Sequence, residues 1–153
     1  MSFYYVDSSA LLKAYVREKG SARAEEIVQT GDVAISMLTV VELASALARR
    51  SREGTVKLDQ RHRLFDTFLA HAVRFQVLPL PRDVLDDAAA LLLREPARVP
   101  LRTLDAIHLA TAEWSFILAR QAGEAGVFVS ADKRLIAAAT AAGMTVEDPE
   151  ERA

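Results

Sequence analysis

Residues 3–9 read Phe-Tyr-Tyr-Val-Asp-Ser-Ser, and the fold prediction starts from this stretch. Its first four residues are aromatic or β-branched, which is typical of a buried strand. Asp7, Ser8 and Ser9 then interrupt the run, and these are residue types that commonly begin a helix. The stretch therefore predicts a strand that passes directly into a helix, and the same order recurs along the chain.

Further strands and helices are predicted from the same alternation. Because strands that alternate with helices pair in parallel, we expect an α/β fold with a four- to five-stranded parallel sheet flanked by helices on both faces. One domain is expected over residues 1–148, followed by a short C-terminal tail at 149–153. Strands are expected at residues 3–6, 33–36, 75–78 and 127–130, with an edge strand at 144–146, and helices at about 8–20, 21–31, 39–52, 58–74, 84–94, 101–118 and 132–142.

The composition excludes several classes of protein. The 153 residues contain no cysteine, which rules out disulfides, cysteine nucleophiles and thiolate metal sites. A net charge of −2 is not typical of a protein that binds nucleic acid by bulk charge. The first residues do not resemble a signal peptide, and no apolar run approaches the roughly 18 residues of a membrane span. We therefore expect a cytosolic protein without membrane contact.

Four acidic residues fall at the ends of the predicted strands or at the starts of the helices that follow. Asp7 comes directly after the first strand, Glu42 lies in the first turn of a helix, Asp105 lies near the start of another helix, and Asp132 follows the fourth strand. The carboxyl ends of parallel strands gather at one edge of a sheet. The four carboxylates are therefore expected to converge there.

Each acid taken alone also has a purely structural interpretation. Aspartate favours helix N-caps, and residues 39–42 form a capping-box pattern in which Glu42 reaches back to Thr39. Taken together, several carboxylates at one edge repel one another unless a cation lies between them. With no cysteine and only three histidines, that cation is expected to be Mg²⁺ or Mn²⁺, which suggests phosphodiester or phosphoryl chemistry.

Four segments carry a resemblance that spans nearly the whole chain. They are residues 5–9 (YVDSS), 35–43 (ISMLTVVEL), 101–112 (LRTLDAIHLATA) and 128–135 (FVSADKRL). In this order and spacing they resemble the PIN-domain nucleases, and within them the VapC-like toxins of type II toxin–antitoxin pairs. The main departure from the family pattern is the segment 114–126, which is long for a compact VapC-like chain.

The resemblance implies a Mg²⁺- or Mn²⁺-dependent endoribonuclease. Asp7 and Asp105 would bind the metal directly, Glu42 would complete its ligands or orient a water, and Asp132 would hold a water or a second ion. The resemblance also implies a homodimer and a cognate antitoxin whose tail covers the acidic groove. The supporting residues expected around the acids are the hydroxyls of Ser8, Thr39 and Ser130. Arg102, close to Asp105, is expected to contact substrate phosphate or to form an ion pair.

Two further groups of residues have open interpretations. His108 lies three residues after Asp105 and is either a general base or a packed histidine. The basic residues Arg49, Arg50, Arg52, Lys57, Arg61, His62 and Arg63 either contact RNA phosphates or form a solvated helix face.

Three other functions fit the sequence less well than a nuclease. A phospho-acceptor signalling domain requires an acidic pair after the first strand and an aspartate at a central strand end, whereas this chain has Asp7 alone and Pro79 after its third strand. A haloacid-type phosphatase requires Asp-x-Asp, which residues 7–9 lack. A binding-only protein of the same fold is disfavoured because all four acids are present.

Overall fold

The computed structural model describes residues 2–94 and 100–151. Strands and helices alternate along these residues, as predicted. The strands are β1 (Ser2–Val6), β2 (Asp32–Ser36), β3 (Gln76–Leu78), β4 (Ala125–Val129) and β5 (Val146–Glu147). The helices are α1 (Ser8–Leu12), α2 (Ser21–Thr30), α3 (Met37–Arg52), α4 (Leu58–Ala72), α5 (Arg82–Leu93), α6 (Thr103–Gln121) and α7 (Lys133–Ala141).

The strands form a parallel sheet in the order β3-β2-β1-β4-β5. β1 is central: Tyr4 pairs with Val33 of β2 on one side and with Val127 of β4 on the other. The chain builds outward from β1 first in one direction and then in the other. In such a sheet, ligands bind in the crevice beside the carboxyl end of the strand where the order reverses. That strand is β1, and Asp7 follows it.

Helices pack on both faces of the sheet, which confirms the predicted α/β class. Successive strand residues point to opposite faces, so neighbouring residues of β1 belong to different cores. One core contains Val6 with residues of α1 to α4, and the other contains Tyr5 with residues of α6 and α7. The fully buried side chains include Leu11, Ile35, Leu43 and Phe68 in the first core, and Tyr5 and Phe128 in the second.

The start of α3 differs from the prediction. The helix begins at Met37 rather than at Thr39, and its N-cap is Ser36, whose hydroxyl accepts the amide of Leu38 at 3.2 Å. The cap moves because β2 ends at Ser36 in an extended conformation and passes straight into the helix. Thr39 is buried inside the first turn, and Glu42 bonds other residues, so the capping-box interpretation of Glu42 is wrong.

Two other segments refine the predicted boundaries. α1 ends at Leu12, and the next residues make tight i to i+3 hydrogen bonds instead of continuing to Gly20. Residues 114–121 belong to α6, so most of the long segment 114–126 is helix. Gly123 turns the chain with a φ of +81°, and a side chain at Gly126 would collide with the ring of Phe116.

The C-terminal residues lie against the rest of the fold. Glu150 forms an ion pair with Lys13 at 2.7 Å. The division into a domain at 1–148 and a tail at 149–153 stays a prediction, and residues 152 and 153 lie outside the described part. No helix within residues 2–94 and 100–151 is both long enough and apolar enough to cross a membrane.

Candidate active site

Asp7 lies buried at the carboxyl end of β1, with 3% of its surface exposed. It caps α1 by accepting the amide of Ala10 at 2.9 Å, so the structural interpretation of this residue is also true. Its oxygens accept further hydrogen bonds from the hydroxyls of Ser9, at 2.8 and 2.9 Å, and of Ser130, at 2.8 Å. Three donors therefore fix the orientation of this carboxylate.

The surroundings of Asp7 do not fully compensate its charge. Burial raises the pKa of this carboxyl above its usual range, while the nearby His108 and the hydrogen bonds from Ala10, Ser130 and Ser9 lower it by less. The net result is a raised pKa, which means that the ionised form of Asp7 is less favourable in the folded protein than in water. A cation beside Asp7 would offset that difference.

Glu42 points from α3 toward α1 and α6. Its Oε1 lies 2.6 Å from Nε2 of His108, and its Oε2 accepts the hydroxyl of Ser8 at 3.2 Å. The other ring nitrogen of His108 lies 2.8 Å from the hydroxyl of Tyr5. The partners of Glu42 are therefore tertiary, whereas the capping box would have given it a local partner.

His108 is buried against acidic neighbours. Burial alone lowers the pKa of its imidazole, but the hydrogen bond and charge of Glu42, with the charges of Asp7 and Asp105, outweigh burial and raise it. A raised pKa favours the protonated ring, whereas a general base must be unprotonated before it acts. The structure thus favours the packed, hydrogen-bonded interpretation of this histidine.

Asp105 lies in the first turn of α6, and Asp132 is the N-cap of α7. Oδ2 of Asp105 accepts the backbone amide of Arg102 at 3.0 Å and the guanidinium of Arg134 at 3.2 Å. Oδ1 of Asp132 accepts the amides of Arg134 at 2.9 Å and Leu135 at 3.4 Å. Among the described residues, each of these carboxylates uses one oxygen in its hydrogen bonds.

The four acids belong to one connected group at the carboxyl edge of the sheet. The hydroxyl of Ser130 donates to Asp7 and accepts the amide of Asp132 at 3.1 Å. Arg134 bonds both Asp105 and Asp132, and the charges of Asp7, Glu42 and Asp105 all reach His108. We call Asp7, Glu42, Asp105 and Asp132 the four-acid site. The structure brings these predicted residues together.

The donor chemistry of the four-acid site fits a hard divalent cation, because every candidate ligand is a carboxylate oxygen. The distances between these side chains, however, are larger than those between the ligands of a bound metal ion. Among the residues that the structure describes, no three acidic or histidine side chains lie close enough to form a metal-binding group. Metal binding would therefore require some of these carboxylates to move closer together.

Of the predicted supporting residues, Ser8 and Ser130 contact the acids directly. Thr39 is fully buried, and its Oγ1 has no hydrogen-bond partner within the described chain. The backbone amide of Arg102 contacts Asp105, while its exposed side chain stays a prediction as a phosphate contact.

Sequence reasoning missed three residues of the site. Ser9 bonds both oxygens of Asp7, Tyr5 bonds His108, and the side chain of Arg134 bonds Asp105. Ser9 lies two residues after Asp7, and Tyr5 lies two residues before it. Nearness to Asp7 in the sequence was therefore the signal that could have identified both. Arg134 lies two residues after Asp132, yet its side chain partner is the acid of another helix.

The basic residues of α3 and α4 are partly paired within the protein. Arg50 bonds Glu18 at 2.5 Å, and Arg63 bonds Asp59 at 2.8 Å on an exposed helix face. Arg49 follows Glu42 by seven residues, which is about 10 Å along the helix. Their contact with RNA stays a prediction.

Comparisons with known proteins agree with this architecture. The chain is 35% identical to Ribonuclease VapC46 of Mycobacterium tuberculosis over 150 residues, covering 97% of this chain and 99% of the relative. The crystal structure of PAE2754 from Pyrobaculum aerophilum matches with a TM-score of 0.64 at 24% identity, covering 98% of this chain and 91% of that one. A toxin–antitoxin complex from Klebsiella pneumoniae matches with a TM-score of 0.58 at 18% identity, covering 95% and 97%.

The family assignment rests on nearly the whole fold. The model of the PIN domain matches residues 4–141, from β1 to the last residue of α7. This span includes all four residues of the four-acid site. The sequence resemblance is thereby confirmed, and the chain belongs to the PIN-domain family.

Proposed function

We propose that this protein is a Mg²⁺- or Mn²⁺-dependent endoribonuclease that acts in the cytoplasm as the toxin of a toxin–antitoxin pair. The observation that carries the proposal is the four-acid site, in which buried Asp7 has hydrogen-bond donors but no lysine or arginine partner within the described chain. A relative that covers nearly the whole chain is named a ribonuclease, which supports the same activity.

In this proposal each acid has a separate role. Asp7 and Asp105 hold the metal, with Asp7 kept in place by Ser9 and Ser130. Glu42 completes the ligands or orients a water, and Asp132 holds a water or a second ion. The bound ion would lower the pKa of a water and offset negative charge on the scissile phosphate. The exposed side chain of Arg102 would contact a substrate phosphate.

The proposed partners follow from the same likeness. Solved structures with this fold include a toxin–antitoxin complex, which supports a cognate antitoxin for this chain. A basic segment of that antitoxin would lie over the four-acid site, where acids outnumber cations. A homodimer is also proposed, and sedimentation of the purified protein with and without its antitoxin would measure both assemblies.

The test is RNA cleavage by the purified protein. We expect Mg²⁺ or Mn²⁺ to support endonucleolytic cleavage and EDTA to stop it. Asp105→Asn should abolish cleavage, whereas the matched control Asp86→Asn, on an exposed face of α5, should cleave at the wild-type rate. Cleavage that persists in EDTA, or in Asp105→Asn, would contradict the proposed chemistry.

The toxin role has its own test. Expression of the wild-type chain should slow growth of its host, and Asp105→Asn should relieve that effect at the same protein level. Normal growth during wild-type expression would remove the toxin role and leave the nuclease activity standing.

A further inference from the structure

A set of hydrogen bonds, buried at Tyr5 and His108 and partly exposed at Glu42, links Tyr5 to Glu42 through His108. The Tyr5 hydroxyl lies 2.8 Å from Nδ1 of His108, and Nε2 of His108 lies 2.6 Å from Oε1 of Glu42. Tyr5 and His108 are 0% and 2% exposed. We call these three residues the buried triad. Because both ring nitrogens are engaged, the imidazole cannot turn without losing both contacts.

The buried triad connects the elements that carry the other acids. Tyr5 lies on β1, two residues before Asp7, and His108 lies on α6, one helical turn after Asp105. The second oxygen of Glu42 accepts the hydroxyl of Ser8, the residue directly after Asp7. The side chain of Glu42 is therefore tied to the two elements that present Asp7 and Asp105.

Packing alone does not explain the polar atoms of the triad. The ring of Tyr5 stacks on Phe128 with centroids 5.5 Å apart, and a phenylalanine would keep that contact. An apolar side chain in place of His108 would also avoid the cost of burying an imidazole. What the hydroxyl and the imidazole add is a fixed direction for the carboxylate of Glu42, which has three rotatable side-chain bonds.

We propose that Tyr5 and His108 are positioning residues, which hold Glu42 in the single rotamer that the four-acid site uses. The inference rests on the proposed ribonuclease function, since the consequence of a misplaced Glu42 is read in cleavage. Neither residue contacts RNA in this account. Each acts through Glu42, and this distinguishes the proposal from a general-base role for His108.

The first test compares two tyrosines of the same strand. Tyr5→Phe removes only the hydroxyl that bonds His108, and Tyr4→Phe is the matched control, because Tyr4 faces the other side of the sheet near Arg23. At saturating Mg²⁺ we expect kcat of Tyr5→Phe to fall about 10- to 100-fold, the usual effect of losing a residue that orients a ligand. KM for RNA should stay unchanged, and Tyr4→Phe should match the wild type.

The second test asks whether Tyr5 acts through Glu42. If it does, Tyr5→Phe should have no further effect on the residual cleavage of Glu42→Gln. Additive losses would mean that Tyr5 has an independent structural effect and would overturn the proposal. Equal rates for Tyr5→Phe and Tyr4→Phe would also overturn it, while leaving the nuclease assignment intact.

A third test does not depend on activity. In NMR spectra of the histidine side chains, the ring signals of His108 should shift in both Tyr5→Phe and Glu42→Gln, and those of His62 and His71 should not. Unshifted His108 signals would show that the contacts are not formed in solution. If the wild type cleaves no RNA, the proposed function fails, and this measurement still decides whether the triad holds Glu42.

Substitution of His108 separates hydrogen bonding from packing. Glutamine can donate to Glu42 from nearly the position of Nε2, whereas leucine fills similar space without a donor. We expect His108→Gln to retain more activity than His108→Leu, with both compared below their unfolding temperatures. Equal activities would contradict a positioning role.

Discussion

Two groups of charged residues in this molecule differ in how far their acids are paired with basic side chains. In the four-acid site, acids outnumber cations, and Asp7 is buried with a raised pKa. In the second group, which we call the C-terminal ion-pair network, acids of residues 147–151 and Glu18 are paired with basic side chains of the main fold. The pairs are Lys13 with Glu18 and Glu150, Arg23 with Glu147, Arg50 with Glu18, and Lys133 with Asp148 and Glu151.

The two groups also differ in whether the folded state favours the charged form of a buried residue. Burial alone would lower the pKa of Lys13, but hydrogen bonds and charge from Glu150 and Glu18 outweigh burial and raise it. The folded state therefore favours the charged form of Lys13, whereas it disfavours the charged form of Asp7. A buried charge that the folded state disfavours is typical of functional sites, and a charge with close partners is typical of structural ion pairs.

The largest effect is expected from Asp7→Asn. The substitution should reduce cleavage by about 100-fold or more, because a metal ion contributes several kcal/mol to such reactions and Asp7 is a proposed ligand. Comparison with the wild type in a gel assay of RNA cleavage measures the loss. Wild-type cleavage by this variant would remove Asp7 from the site.

The same variant should be at least as stable as the wild type. A carboxyl with a raised pKa destabilises the folded state once the pH exceeds its unfolded value, near 3.8, and has no such effect below it. In EDTA, the melting temperature of Asp7→Asn should therefore exceed that of the wild type near pH 7, and the difference should shrink in acid. A difference that grows in acid would contradict this account.

In the C-terminal ion-pair network, Lys13→Met should lower stability and leave RNA cleavage unchanged, which is the opposite of the effect expected from Asp7→Asn. This change leaves Glu150 without its buried partner, and we expect the free energy of unfolding in urea to fall by about 1–3 kcal/mol. RNA cleavage at a temperature where the variant is folded should be unchanged. Lost cleavage in the folded variant would mean that the two groups are coupled.

A smaller effect is expected from Ser130→Ala within the four-acid site. Asp7 would lose one of its donors and keep Ser9 and the amide of Ala10. We expect cleavage to slow by about tenfold, the lower end for residues that orient a ligand. Ser45→Ala, at an exposed position of α3, is the matched control and should cleave normally.

The smallest effect is expected from Arg63→Ala. Arg63 and Asp59 are both 71% exposed, and an ion pair of this kind on a helix surface contributes at most about 0.5 kcal/mol. Urea unfolding should hardly distinguish the variant from the wild type. A cleavage defect in this variant would instead place the basic face of α4 in RNA binding.

Much of the fold and site could be predicted because the signals are local. The change from strand to helix at Asp7 is encoded by neighbouring residues, and parallel pairing then places such turns at one edge. The N-cap of α3 was predicted wrongly because both Ser36 and Thr39 are suitable residues. The end of β2 decides between them, and that end is set by pairing with β3, in which Ser36 pairs with Leu78.

The sequence by itself determined the order of strands and helices, the absence of thiol chemistry and the placement of four acids at one edge. Only the tertiary structure decided the partners that these acids find far away in the sequence. Glu42 meets His108 across 66 residues, and Asp7 meets Ser130 across 123. Periodicity and capping describe contacts within a few residues, whereas these partners are chosen by how the sheet and helices pack. The same packing leaves Asp7 buried and short of positive charge, and it gives Lys13 two carboxylates.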